Sequence, residues 1–354
     1  MKIAFHLSHF SIRGTEVAAF DYASLAEEFY GHESIIIACE KHPVSERQVE
    51  DKFRKRFRVE TYSDFSEVNQ LVARLGCDVF YIRKSGENDG RIVEAARNAV
   101  HAVFPASLDQ VHGERYAFNS SWLARHCAGG LLPDVPHAVS MPNQQKNLRD
   151  ELSISNEATV VGCHGGQDSF DIAMARRAVE ISVEKRRDLY FLFLNINKFI
   201  EHERVLFMPG KADVQYKADF IGSCDAMLHA RLRGETFGLA CAEFSVMNKP
   251  VITFALSPER MHLDTLGSKA LKYRSQRELE DILLGFDKTW SKTQEWDCYS
   301  DKFSPAVVMK KFSDVFLSDP QEFQPMRFSS LRKCAATLES KYYERARRAI
   351  VQEL

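Results

Sequence analysis

The sequence predicts an α/β protein built from two doubly wound parallel-sheet domains. Short apolar runs alternate with helical patterns through both halves of the chain, as βαβ units require. The chain has 354 residues, more than a single hydrophobic core usually spans. A stretch rich in Pro, Asn and charge, "PDVPHAVSMPNQQKNLRDELSISNEA", separates the two alternating series. These observations set the expected boundaries: a first domain at 1–145, a linker at 146–156, a second domain at 157–315 and a helical tail at 316–354.

The first series opens with the strand "KIAFHL" and the polar loop "SHFSIRGTE". A helix follows from about Thr15, carrying Val17, Ala18, Phe20, Leu25 and Phe29 at helical spacing. "SIIIAC", "FRVETY" and "DVFYI" read as further strands, and "AVHAVFP" as the next. The loop "RKSGENDG" at 83–90 is more polar than a connection needs, although a solvated turn accounts for the same residues. "AFNSSWLARHC" starts another element.

The second series runs through "TVVG", "YFLFLNI", "RVLFMPG", "AML", "PVITF" and "ALKY". After Trp296 the pattern becomes helical. The tail "SSLRKCAATLESKYYERARRAIVQEL" is amphipathic, with Leu331, Ala335, Leu338 and Tyr342 on one stripe.

Composition narrows the function. The net charge of −2 gives no global attraction to nucleic acid. The eight cysteines form no C-x-x-C pair and no zinc-like grouping. No apolar run reaches the length of a membrane span, and "MKIAFHLSHF" lacks the apolar centre of a signal peptide. The expectation is a soluble, cytoplasmic protein with no resident metal or cofactor. "KFRKRF" at 52–57 interleaves cations with Phe, which fits either a solvated helix face or a weak peripheral membrane contact.

Ligand-binding loops in such sheets lie at the carboxyl ends of strands. "GCHGGQDSF" follows "TVV"; Gly165 and Gly166 allow close backbone approach, and Asp168 or Ser169 offers a cap for the next helix. Amides at that helix start would suit a phosphate, as would those at Gly14. His112 is a candidate acid or base, or a structural histidine. The strongest segment is "HARLRGETFGLACAEF" at 229–244. Glu235 sits in a glycine-flanked loop, where helix-dipole complementarity explains it adequately. Glu243 lies among apolar residues, where an ionised carboxylate needs a partner. Sugar and ribose hydroxyls are such partners.

"GETFGLACAEF" resembles the E-x7-E signature of retaining glycosyltransferases of the GT-B fold, family 4-like. "NKPVIT", "RGTEVAAFDYA", "HGERYAFNSSWLA" and "VVGCHGG" resemble other segments of that family. The resemblance implies two Rossmann-like domains facing across a cleft, with a C-terminal helix returning to the first. It implies a metal-independent enzyme that moves a sugar from a nucleoside diphosphate sugar to a glycan or other hydroxyl acceptor. Glu235 would then position the donor sugar, His112 would contact it and Glu243 would hold the ribose. The implied donor site adds Gly14, Thr15, His164, Gly165, Gly166, Lys198, Lys211, Arg231, Thr236, Phe237, Gly238 and Leu239. Lys84, Glu87, Asn88 and Asp89 form the implied acceptor-side loop. The family's phosphate-binding Arg is replaced here by Cys163, which leaves Arg231 as the nearest candidate cation, with Arg233, Lys198 and Lys211 behind it. A sugar-binding protein without transfer, and a nucleotide-sugar epimerase of the same fold, stay open as alternatives.

Overall fold

The computed structural model describes residues 1–318. Two compact units emerge, Met1–Ala138 together with residues 303–318, and Val139–Lys302. The chain thus passes from one unit to the other after 138 and returns before 303. Residues 303–318 join the first unit because they carry an apolar stripe that its sheet covers, as described below.

In the first unit the elements are β1 (Lys2–Leu7), α1 (Gly14–Tyr30), β2 (Glu33–Cys39), α2 (Arg47–Arg56) and β3 (Arg58–Tyr62). Then come α3 (Val68–Leu75), β4 (Val79–Lys84), β5 (Arg97–Ala102), β6 (Arg115–Phe118) and α4 (Ser121–Ala128). The strands are all parallel, in the order β3-β2-β1-β4-β5-β6. Their near-continuous apolar runs suit a sheet covered on both faces. The segment "AFNSSWLARHC" holds the end of β6 and the start of α4, where Ser120 caps the helix through the Leu123 N–H.

The second unit contains α5 (Leu148–Glu151), β7 (Thr159–His164), α6 (Ala173–Lys185), β8 (Leu189–Leu194), β9 (Val205–Met208) and α7 (Val214–Ser223). It continues with β10 (Ala226–His229), β11 (Gly234–Glu235), α8 (Leu239–Val246), β12 (Val251–Phe254) and β13 (Glu259–Arg260). The last elements are α9 (Met261–Leu266), β14 (Leu271–Tyr273), α10 (Gln276–Gly285), α11 (Lys288–Ser291) and α12 (Ser300–Phe303). Its main sheet has the order β14-β12-β10-β7-β8-β9. The first sheet follows the 3-2-1-4-5-6 winding of dinucleotide-binding folds, and the second sheet likewise reverses its strand order beside its first strand. Each therefore has a topological switch point, β1/β4 in the first unit and β7/β10 in the second. Ligands bind outside the carboxyl ends of strands at such points.

A returning helix, α13 (Pro305–Phe312), and a π-helical turn at Ser313–Leu317 complete the first unit. Phe312 is fully buried and stacks on Tyr22 of α1 at 4.9 Å, with Tyr81 and Phe316 at 5.3 Å. Arg97 donates to the backbone carbonyls of Leu317 and Ser318. The amphipathic stripe of Leu331, Ala335, Leu338 and Tyr342 lies outside the described residues.

The 52–57 segment turns its rings inward: Phe53 and Phe57 are buried. Three of its four cations are met locally, Arg54 by Glu50 at 2.8 Å, Arg56 by Glu27 at 2.6 Å and Lys52 by the Phe20 ring, and Lys55 is exposed. The aromatic side chains that suggested a lipid contact thus belong to the core. Among the described residues no helix is long and apolar enough to cross a membrane.

Candidate functional site

The strand β10 delivers His229 to the carboxyl edge of the second sheet, and the chain then loops out through Arg231. Gly234 and Glu235 form the two-residue strand β11, paired in parallel with Glu259 and Arg260 of β13. Gly234 has φ +80°, and a Cβ there would lie 2.1 Å from the Glu259 carbonyl oxygen. Only glycine lets these backbones meet. Gly238, at φ +90°, starts α8 under the same constraint, since a Cβ would press on His262 at 2.9 Å and Glu235 at 3.2 Å. The glycines flanking Glu235 thus fix its position beside β10 at the switch point.

Glu235 is held on two sides. Arg231 Nη1 donates to both carboxylate oxygens, at 3.0 and 3.1 Å, and His229 Nε2 lies 3.3 Å away. His229 Nδ1 meets Thr253 Oγ1 at 2.9 Å, and His262 Nε2 reaches the same hydroxyl at 3.2 Å. Burial alone would raise the Glu235 carboxyl, but Arg231 and then His229 outweigh it and hold it well below the usual carboxylate range. The opposite happens at Glu259. Burial pushes that carboxyl up to about 7, although Arg233 contacts it at 2.5 Å.

Glu243 is buried on α8. Its partners are Lys217 of α7, an ion pair, and His164 at the end of β7, whose Nε2 lies 3.0 Å from Oε2. Beyond this contact, neither His164 Nε2 nor Glu243 Oε2 has a hydrogen-bond partner among the described residues. Burial opposes ionisation, yet Lys217 and His164 bring Glu243 down to about 2. The carboxylate therefore already has a protein partner, where sequence reasoning looked to ligand hydroxyls alone. Lys217 escaped that reasoning because it pairs across 26 positions. The detectable sign was a lysine inside the apolar helix "QYKADFIG". His229 was also missed, although a histidine ending a switch-point strand is a usable signal.

The loop after β7 departs from expectation. The next helix, α6, starts only at Ala173, and no side chain caps its N-terminus. Asp168 instead accepts from Asn197 Nδ2 at 2.8 Å, and Ser169 Oγ donates to the Gly166 carbonyl at 2.7 Å. Asn195 holds the Gly165 carbonyl at 2.6 Å. These contacts outcompete the local cap, so Gly165 and Gly166 do not open a helix. Gly166 has open space where a Cβ would project, whereas Gly165 faces Ser169 Oγ. Cys163 is buried, and its thiol is pushed far up by burial, so it carries no charge.

The remaining donor-side residues scatter more widely. Lys198 pairs with Glu201, and Lys211 lies 3.6 Å from the Tyr216 ring centroid. Arg231 is about one-third exposed, and only its Nη1 engages Glu235. Phe237 is buried against Tyr299, so it presents backbone rather than its ring; Thr236 is buried and Leu239 half-buried. In the first unit, Thr15 Oγ1 and Ser11 Oγ both donate to the buried Glu16 carboxylate, while Gly14 has open space beside it.

The acceptor-side loop is tied to His112. Lys84 Nζ pairs with Asp89 and approaches His112 Nε2 at 3.1 Å, while His112 Nδ1 donates to the Gln110 carbonyl at 2.7 Å. Burial lowers the His112 imidazole, and Lys84 adds to that effect, so Nε2 is an acceptor near neutral pH. Asn88 N–H donates to Gln110 Oε1, and Glu87 is exposed.

No family profile matches the chain, and no curated protein matches it. Solved structures do. Anabaena HepE in complex with UDP-glucose is 14% identical, with a TM-score of 0.68, over 88% of this chain and 98% of that one. A glycosyltransferase from Rickettsia africae is 13% identical, with a TM-score of 0.64, over 89% and 97%. A Listeria monocytogenes protein described as a UDP-N-acetylglucosamine 2-epimerase is 12% identical, with a TM-score of 0.56, over 90% and 98%. At such identities the likeness concerns architecture, and the two parallel six-stranded units have the GT-B fold.

Proposed function

We propose that the protein is a retaining glycosyltransferase that uses a nucleoside diphosphate sugar and needs no metal. One observation carries the reading. Two ionised, largely buried carboxylates, Glu235 and Glu243, stand at the switch point of one sheet with the E-x7-E spacing. One neighbour, HepE, solved with UDP-glucose and again with UDP and glucose, supports the ligand class.

On this reading Glu243 accepts hydrogen bonds from the ribose hydroxyls, and Lys217 keeps it ionised. Glu235 positions the sugar, with backbone amides of Thr236 to Leu239 alongside. Arg231 turns its uncommitted guanidinium nitrogens to the diphosphate, with Lys198, Lys211, Gly14, Thr15 and the His164–Gly166 loop as further contacts. The bond between the anomeric carbon and the diphosphate oxygen breaks, and the leaving oxygen takes the acceptor's proton as the acceptor oxygen bonds to the same face. Charge developing on the diphosphate is stabilised by cations and amides already in place. His112 contacts the sugar through Nε2, and the loop of Lys84, Glu87, Asn88 and Asp89 serves the acceptor.

Two rivals have specific support. The neutral thiol of Cys163, standing where the family has an arginine, favours binding without transfer. The Listeria neighbour favours an epimerase. A panel of nucleoside diphosphate sugars, incubated with and without hydroxyl acceptors and resolved by chromatography, separates them. Transfer gives free diphosphate and glycosylated acceptor in equal amounts. An altered sugar without acceptor means epimerase, and saturable binding without turnover means a binding protein.

A further inference from the structure

The carboxyl end of β4 carries two successive cations, Arg83 and Lys84, which alternation sends to opposite faces of the first sheet. Lys84 has its counter-charge in Asp89. Arg83 has none: among the described residues no carboxylate lies within ion-pair distance of its guanidinium. It is 7% exposed. Its Nη2 donates to His137 Nε2 at 3.2 Å, and its Cζ stands 5.7 Å from the Tyr22 ring centroid. Nε and Nη1 are buried with no hydrogen-bond partner. The acid that follows β6, Asp134, is held by Lys311 at 2.8 Å.

This arrangement is unfavourable as a purely structural feature. An arginine does not shed its proton on burial, and a cation without an anion leaves its desolvation uncompensated. The Tyr22 face and one neutral imidazole recover only part of that cost. Its place is informative as well, because β1/β4 is the switch point of this sheet. A buried, bare guanidinium there fits an oxyanion supplied by a ligand.

We propose that Arg83, with His137, binds a phosphate or carboxylate group carried by the acceptor, so that the acceptor is an anionic molecule. The word acceptor rests on the glycosyltransferase reading; the oxyanion site itself does not.

The test uses the full chain with saturating UDP to fill the donor site. Binding of glucose 6-phosphate and glucuronate is compared with that of glucose, in wild type and in Arg83→Met. Wild type should bind the two charged probes saturably and glucose at least about tenfold more weakly, as expected for a charge-assisted contact. Arg83→Met should lose that preference, keep its affinity for UDP, and melt without ligand no lower than wild type, since a buried unpaired charge has been removed. Equal binding of charged and neutral probes by wild type overturns the proposal, as does an unchanged preference in the variant. A parallel loss of UDP affinity assigns Arg83 to the donor diphosphate instead. A stabilising effect of inorganic phosphate equal to that of glucose 6-phosphate points to a free-ion site and also overturns it. Should Arg83→Met fail to fold, Arg83→Lys decides, because it keeps the charge but loses the planar fork. It should bind glucose 6-phosphate more weakly than wild type, and unchanged binding rejects the assignment. Failure of UDP to bind at all would count against the glycosyltransferase reading alone.

Discussion

Lys217 and Glu243 form a buried ion pair between α7 and α8, and His164 at the end of β7 borders the same carboxylate. The pair keeps a charge inside the second unit at the place where a ribose is proposed to bind. Removing one member leaves the other buried and unneutralised, so the residue should respond to pH and to substitution.

The Glu243 carboxyl is depressed to about 2. A carboxylate with a lowered folded-state value adds stability above its unfolded value, and that stability is lost as pH falls through the folded value. The loss should run from about pH 4.3 to pH 2 and amount to ~3 kcal/mol at most. Urea unfolding at stepped pH should show this slope in wild type and a shallower one in Glu243→Gln. Identical slopes would mean the pair is screened.

Glu259 should behave with the opposite sign. Burial raises its carboxyl to about 7, so the folded state holds the proton more tightly than the unfolded chain does. Stability from this group is present below about pH 4.3 and disappears as pH rises through about 7, a change of up to ~4 kcal/mol. Glu259→Gln should therefore gain on wild type as pH climbs from about 5 to 8. Parallel stability curves for the two proteins across that window would refute the assignment.

Phe312 anchors the returning segment to the first unit by stacking on Tyr22 and packing against Tyr81. Phe312→Ala should cost about 3–5 kcal/mol, the usual range for deleting a buried ring. Denaturant midpoints measure this. A cost below ~1 kcal/mol would show that residues 303–318 contribute little to that core.

Arg231 engages Glu235 through Nη1 only. If its other nitrogens hold the diphosphate, Arg231→Ala weakens a nucleoside diphosphate and spares the uncharged nucleoside. Calorimetry with both ligands decides. Parallel losses, or none, transfer the role to Lys198, Lys211 or Arg233.

Much of this was legible from local pattern. Apolar runs bounded by turn residues marked most of the strands, and "GETFGLACAEF" marked the loop and helix that carry both glutamates. Local pattern failed where distant partners decide. Asp168 and Ser169 have capping chemistry, yet Asn197 and the Gly166 carbonyl claim them, so α6 begins later. Two-residue strands such as β11 and β13 have no periodicity to read; Gly234 and the approaching Glu259 backbone create them. Lys217 and Arg83 looked like ordinary lysine and arginine residues until folding placed one against a carboxylate and left the other with none within ion-pair distance among the described residues.

Glu243 is proposed to bind the ribose of a nucleoside diphosphate sugar. The direct measurement is the affinity of a nucleoside diphosphate and of its 2′,3′-dideoxy analogue, in wild type and in Glu243→Gln. A charged hydrogen bond contributes ~1.5–3 kcal/mol, so wild type should prefer the hydroxylated ligand by roughly tenfold or more. Glu243→Gln should lose most of that preference while remaining folded. A wild-type protein that does not distinguish the two ligands, or a variant that keeps the full preference, would rule out that role for Glu243.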